Sequence, residues 1–330
     1  MVDLVGKRIL LIMPRFFGYE QDILNEIQRQ GGQVDWLPDR PFDSASMAAL
    51  TKFVPASILP FADQLYFQMI KSFNVERYDF ILVINGQTLS SRVLRFLKDT
   101  YSAAKLILYM WDSIENRSHV TKNFAFFDSL SSFDPKSSKE YGMHLRPLFY
   151  SRELQFGEVE QPSYKYDLSF VGTAHSDRYS VINQLRSNLP TDVTAYWYLY
   201  LQSQWIYHVY KTLGSNMASA SKSDFNFVPL SRENLQTVFM TSRSSVDIEH
   251  PLQRGLTMRT FETLGMRRKL ITTNNLIADY DFFHPDNICV IDRRNPVIPK
   301  SFFASPFQEI GSELRNKYSI SGWLDELLSR

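Results

Sequence analysis

Two series of short, nearly uninterrupted apolar runs, each followed by a loop and a polar stretch of helical length, constrain this chain more than any other feature. Residues 8–13, 79–84 and 105–110 are built almost wholly from Ile, Leu, Val, Met and aromatic residues, and the more mixed segments 166–171, 193–199, 244–248, 269–273 and 287–291 read as a second set of strands. A strand with one wet face alternates polar and apolar residues, whereas a strand covered on both faces does not. The runs therefore predict buried parallel strands joined by crossover helices. Helices are expected over 20–30 (closed by Gly31-Gly32), 61–73, from Asn85-Gly86 to about Lys98, and over 178–188, 231–241, 258–266 and 321–328. Residues 41–60, with Pro41, Pro55 and Pro60, read as irregular; 129–134 and 145–149 read as short edge elements, and 202–226 as ambiguous.

The stretch 151–166 carries Gly157, Glu158, Glu160, Gln161 and Pro162 without periodicity and reads as a linker. The expected architecture is α/β: a Rossmann-like domain over 1–150, the linker, and a second Rossmann-like domain over 167–330. Ligands of such sheets bind beyond the carboxyl ends of the strands, which places the expected site in a cleft between the domains.

Composition excludes several functions. A formal net charge of +1 over 330 residues gives no field of the kind that recruits nucleic acid. Cys289 is the single cysteine, so neither an intramolecular disulfide nor a cysteine cluster can form, and the six histidines show no HExxH spacing. No metal and no cofactor are expected. The apolar run 9–13 is too short for a secretion signal, and no stretch reaches the ~18 to 20 apolar residues of a membrane span. A cytoplasmic protein is expected, or one peripheral at the inner face of the plasma membrane. The basic clusters Arg267-Arg268-Lys269 and Arg293-Arg294 would suit anionic lipid, and equally a solvated helix end.

The most informative segment runs from the strand end at Asp247 through Gln253, Arg254, Gly255 and Leu256 into a helix that Thr257 is placed to cap. On that helix Met258, Phe261 and Leu264 form an apolar stripe, and Arg259 and Glu262 share a neighbouring face. A loop, a helix N-terminus and an Arg make an anion site suited to a diphosphate. A carboxylate one turn further in can accept from ribose hydroxyls. The same spacing fits an ordinary Arg–Glu pair on a solvated face, and spacing does not separate the two.

The segment "GLTMRTFETLG", followed by "KLITT", resembles the donor-binding helix of glycosyltransferases of the GT-B fold. More closely, "YMWDSIEN" (109–116), "FDSLSSFDPKSSKEYG" (127–142), "RPLFY" (146–150), "DLSFVGTAHSDRY" (167–179) and "VDIEHPLQRGLTMRTFETLG" (246–265) resemble CgeB-like bacterial glycosyltransferases of lipopolysaccharide and capsular polysaccharide synthesis. The resemblance implies a GT-B fold and metal-independent transfer from a nucleotide-sugar to a glycan or lipid-linked glycan. It also puts Glu262 on the donor ribose and Thr257 and Arg259 near the phosphates. Many retaining members carry a second Glu eight positions before the ribose Glu. Here that position is Arg254, which leaves the sugar contact to another carboxylate such as Asp247 or Glu249, or marks a binding protein without turnover.

Gly172, Thr173 and Arg178 follow the first strand of the second half and suit a phosphate loop, or a plain turn. Trp111, Asp112 and Ser113 end a central strand of the first half. Asp112 is a candidate acceptor base, with turn capping as the alternative. Phe17 and Gly18 could line an acceptor pocket or pack on the adjoining helix. A dinucleotide-dependent oxidoreductase is disfavoured, because the loops after the first strands read Pro-Arg-Phe-Phe-Gly and Gly-Thr-Ala-His-Ser rather than GxGxxG. No P-loop motif is present.

Overall fold

The computed structural model describes residues 2–40, 55–157, 163–212, 217 and 219–330. The chain divides into two compact units, Met1–Leu148 with Ile320–Arg330, and Phe149–Ser319.

In unit 1 the strands β1 (Arg8–Ile12), β2 (Gln33–Leu37), β3 (Phe80–Ile84), β4 (Lys105–Met110), β5 (Ser129–Ser132) and β6 (His144–Leu145) form one sheet in the order β2-β1-β3-β4-β5-β6. Every pairing is parallel. The crossovers use α1 (Tyr19–Arg29), α2 (Pro55–Ser72), α3 (Ser91–Thr100) and α4 (Pro135–Tyr141). Ile9 to Ile12 and Ile81 to Ile84 are wholly buried, because helices cover both faces of these central strands. The irregular segment expected over 41–60 falls mostly outside the described residues. Its last part is helical, since α2 begins at Pro55, where the missing N–H costs nothing.

Unit 2 holds β7 (Leu168–Thr173), β8 (Ala195–Tyr200), β9 (Ser244–Asp247), β10 (Lys269–Thr272) and β11 (Ile288–Val290), ordered β11-β10-β9-β7-β8 and again all parallel. Its helices are α5 (Arg178–Asn188), α6 (Gln204–Thr212), α7 (Arg232–Met240), α8 (Met258–Gly265), α9 (Lys300–Ala304) and α10 (Ser312–Lys317). The last helix, α11 (Ile320–Ser329), was expected with the second half but belongs to unit 1. Trp323 is fully buried with its ring 5.0 Å from that of Tyr109, and Glu326 pairs with His144 and the buried Arg146. The described first part of the expected linker, 151–157, packs against the rest of unit 2. Leu154 is buried, and the Phe156 N–H donates to the Gly265 carbonyl at 3.1 Å.

Gly265 shows how α8 is seated. A Cβ there would lie 2.5 Å from the Tyr150 ring and 2.9 Å from the Leu154 carbonyl oxygen. Gly265→Ala is expected to lower stability by about 1 to 3 kcal/mol through overpacking, since backbone as well as ring must move. Urea denaturation checks this; an unchanged midpoint would show that the contact yields freely.

Candidate functional site

The segment 244–265 folds as a strand, loop and helix at the carboxyl edge of the unit 2 sheet. Thr257 occupies the N-cap position of α8, with extended backbone, but its side chain makes no capping hydrogen bond. Its hydroxyl donates instead to Asp247 Oδ2 at 2.6 Å, and Thr260 donates to the same oxygen at 3.2 Å. The sequence places Thr257 correctly and misses this diversion. Its consequence is chemical: no side chain caps the first N–H groups of α8, and these carry the positive end of the helix dipole.

Arg259 and Glu262 form the expected pair, at 2.9 Å, but not on a solvated face: their side chains are 17% and 8% exposed. The Arg259 guanidinium lies 4.1 Å above the Phe239 ring and donates to the Val171 carbonyl at 3.3 Å. Phe261 and Leu264 are buried while Met258 is half-buried, so the apolar stripe holds with its first member at the edge. Arg254 is exposed, and its side chain has no partner among the described residues. Gly255 and Leu256 are buried, and Gln253 bonds across the loop to the Gly255 carbonyl at 2.9 Å.

Beneath the loop lies a network of opposite charges. Arg293 bonds Asp177 and Glu249, and the Thr273 hydroxyl donates to Glu249 at 2.5 Å. Arg178 is spent on backbone: it donates to the Thr173 carbonyl and, through Nε at 2.8 Å, to the Ile248 carbonyl. It therefore ties the ends of β7 and β9 together, and burial pulls its pKa down. Gly172 belongs to β7 rather than to the loop. A Cβ there would meet the Phe170 ring at 3.0 Å and the Arg178 Nη1 at 3.3 Å, so close packing accounts for a small residue without a ligand. Burial raises the Asp247 pKa, opposed first by the hydroxyl of Thr257. His175 and His250 face each other with ring centroids 5.9 Å apart. Burial and then the Arg178 charge push His175 down to about 4, so it is neutral at physiological pH.

In unit 1 the candidates also gather at the carboxyl edge of the sheet. Phe17 is 80% exposed at φ 52°, beside Gly18 at φ 83°. A left-handed conformation suits Gly18 and strains Phe17. The rings of Phe16 and Tyr19 lie 6.5 and 5.7 Å from Trp111. Trp111 is fixed in turn by an N–H bond to Asn85 Oδ1 at 2.8 Å. Asp112 accepts from the Ser113 N–H, the Asn116 amide and Arg117 Nε at 3.0, 3.0 and 3.1 Å. This is the turn-capping geometry that the sequence left as the alternative.

Asp39 carries no sequence motif and follows Pro38 directly after β2. Its side chain is buried and Oδ1 has no hydrogen-bond partner. Burial pushes its pKa up to about 7, opposed first by the Arg40 charge and by the Gln87 N–H. An unfolded Asp titrates near 4, so the folded chain holds the extra proton between about 4 and 7. Stability therefore falls as pH rises through that window. Asp39→Asn is expected to raise the melting temperature by a few degrees at pH 8 and to change it little at pH 4. Equal shifts at both pH values would contradict the assignment.

Among the described residues no group of three or more His, Cys, Asp and Glu is placed to hold a metal, and no helix is long and apolar enough to cross a membrane. Lys269 is buried on the carbonyls of Phe302 and Ser305, and Arg268 stacks 5.1 Å over the Tyr164 ring.

No known family model and no curated protein matches the sequence. Solved structures do. A glycosyltransferase from Rickettsia africae ESF-5 superposes with a TM-score of 0.61 at 11% identity, covering 98% of this chain and 97% of that one. Anabaena HepE, solved in complex with UDP and glucose, gives 0.58 at 11% identity over 98% and 99% of the two chains. The catalytic domain of Arabidopsis thaliana starch synthase IV, bound to ADP and acarbose, gives 0.51 at 8% identity over 98% and 99%. With its two parallel sheets and flanking helices, the chain has the fold of the GT-B glycosyltransferases.

Proposed function

We propose that the chain transfers a sugar from a nucleotide-sugar, held at the N-terminus of α8, to a glycan acceptor. The observation that carries this reading is the start of α8. Its cap side chain is diverted to Asp247, an exposed Arg254 with no side-chain partner among the described residues precedes it, and Arg259 in its first turn pairs with Glu262 one turn further in. Free backbone N–H groups, the helix dipole and guanidinium groups favour a diphosphate, and most favour it when negative charge accumulates on the leaving group. Glu262 is assigned to the ribose. Asp247 and Glu249 are already committed to hydroxyls and to Arg293, which leaves the sugar contact to other groups such as the facing rings of His175 and His250. Arg178 positions the β7 and β9 loops rather than binding phosphate.

The nucleotides bound by HepE and starch synthase IV support a nucleotide-sugar donor. A bacterial surface glycan, lipid-linked or free, is proposed as acceptor on the strength of the CgeB-like segments, with transfer at the cytoplasmic face of the membrane and without a metal. The aromatic edge of unit 1 formed by Phe17, Gly18 and Trp111 is assigned to that acceptor. Thermal shift and nucleoside diphosphate release against UDP-, GDP-, CMP- and dTDP-sugars test the reading: one donor should both stabilise the chain and turn over. Stabilisation without release would instead indicate a nucleotide-sugar binding protein, the reading that Arg254 in place of a glutamate keeps open. Asp112 is retained as the proposed acceptor base. Asp112→Asn should lower transfer by about 10²-fold with donor affinity unchanged. Normal transfer would leave it only its turn.

A further inference from the structure

Unit 2 has a second cationic concavity, at the edge of its sheet opposite the carboxyl ends of the strands. It has a volume of about 430 Å³ and is lined by Arg152, Gln155, Phe156, Gly157, Arg267 and Arg315. Arg267 lies in the turn between α8 and β10, so the whole length of α8, about 12 Å, separates it from the helix start that holds Arg259. The two features are distinct places on the unit.

The charges around the concavity are poorly balanced. Arg267 pairs with Glu309, which is itself exposed. Among the described residues the side chains of Arg152 and Arg315 have no hydrogen-bond or ion-pair partner, and the Arg315 Nε is buried. A buried N–H donor without an acceptor is costly, and several guanidinium groups around one space repel each other. The backbone supports the same arrangement at some strain. Arg267 adopts φ 55°, a left-handed conformation that a long side chain rarely takes. The Tyr150 hydroxyl holds the α10 end by donating to the Arg315 carbonyl at 2.9 Å. Three fork-shaped donors converging on a polar space of this size match a phosphate group better than any neutral ligand.

We propose that this concavity is a binding site for a phosphate-bearing anion, separate from the donor site. Arg152 and Arg315 supply the uncommitted donors, and Arg267, braced by Glu309, supplies the third. Gly157 marks the mouth: a Cβ there would meet nothing within 4 Å, so a larger residue can be introduced without a clash.

The test titrates full-length protein calorimetrically with inorganic pyrophosphate, and variants placed at this concavity alone tell its binding apart from that of the donor site. Arg152→Gln/Arg315→Gln should weaken binding at least about 10-fold, as expected for lost charge-assisted hydrogen bonds. Gly157→Glu, which removes no arginine and places a carboxylate at the mouth, should do the same. If the arginine variant fails to fold, as judged by its melting curve, Gly157→Glu decides alone. Sedimentation with phosphatidylglycerol and phosphatidylcholine vesicles identifies the source of the phosphate. Selective binding to phosphatidylglycerol that is lost in Gly157→Glu marks a lipid headgroup; a response to pyrophosphate alone marks a soluble phosphate. Pyrophosphate and vesicle binding both insensitive to Gly157→Glu would overturn the proposal.

Discussion

Arg259→Met is expected to lose about 10²- to 10³-fold in transfer rate, the effect of removing one preorganised donor from a developing anion. It should also lose stability, because the structure buries the Arg259–Glu262 pair. Removing the cation takes the ion pair with Arg259 away from Glu262, which is 8% exposed, and breaking a buried pair from one side typically costs about 3 to 5 kcal/mol. A fall in activity alone would therefore be ambiguous. Arg259→Met/Glu262→Met resolves it, because replacing both charges with apolar groups of similar length removes the buried carboxylate. The melting temperature should recover in the double variant while transfer stays at the low level. If Arg259 and Glu262 serve only to satisfy each other, transfer recovers with stability. Arg259→Lys keeps the charge but loses the fork and the planar stacking on Phe239, so it should restore only part of the rate.

The second large effect is expected at Glu262 and is specific to the sugar of the nucleotide. A carboxylate accepting from ribose hydroxyls should make the wild-type chain prefer a ribonucleoside diphosphate to its deoxy analogue by about 10-fold or more. Glu262→Gln preserves shape and can still bond Arg259 through its amide oxygen, yet it loses the charge and turns one acceptor into a donor. Calorimetry should show the ribonucleotide losing most of that advantage while the deoxy analogue binds nearly as before. An equal loss for both nucleotides would assign Glu262 to holding Arg259 in place rather than to the ribose.

The sequence carried the sheets well because strands buried on both faces cannot hide: the run 105–110 coincides with β4, and the helix expected over 178–188 coincides with α5. Elements without an apolar signature were not legible. The helix Pro135–Tyr141 rests on caps, with Asp134 accepting from Ser137 and Gly142 at φ 64° closing it, and its short PKSSKEY sequence shows no stripe. In α6 the residues Trp205, Ile206, Tyr207, Val209 and Tyr210 have strand-like propensity, which packing on the unit 2 core overrides. The allegiance of α11 to unit 1 depends on Trp323 and Glu326 meeting residues far away in sequence, and no local pattern encodes that.

At the site, the positions were legible and the partners were not. Thr257 was placed at its cap, but its bond to Asp247 depends on where β9 ends. Arg178 read as a phosphate ligand because it opens a helix after a glycine. Only the fold brings the Ile248 carbonyl within 2.8 Å of it. Asp39 carried no motif, and its behaviour comes from burial alone.

The central claim is that the open N-terminus of α8 holds the donor diphosphate. A crystal structure of the chain with its preferred nucleoside diphosphate tests it most directly. The account predicts both phosphates at the start of α8, within hydrogen-bond reach of its backbone N–H groups and of Arg259 or Arg254, with the ribose on Glu262. A diphosphate bound elsewhere, with Arg259 and Glu262 still closed on each other, would contradict it.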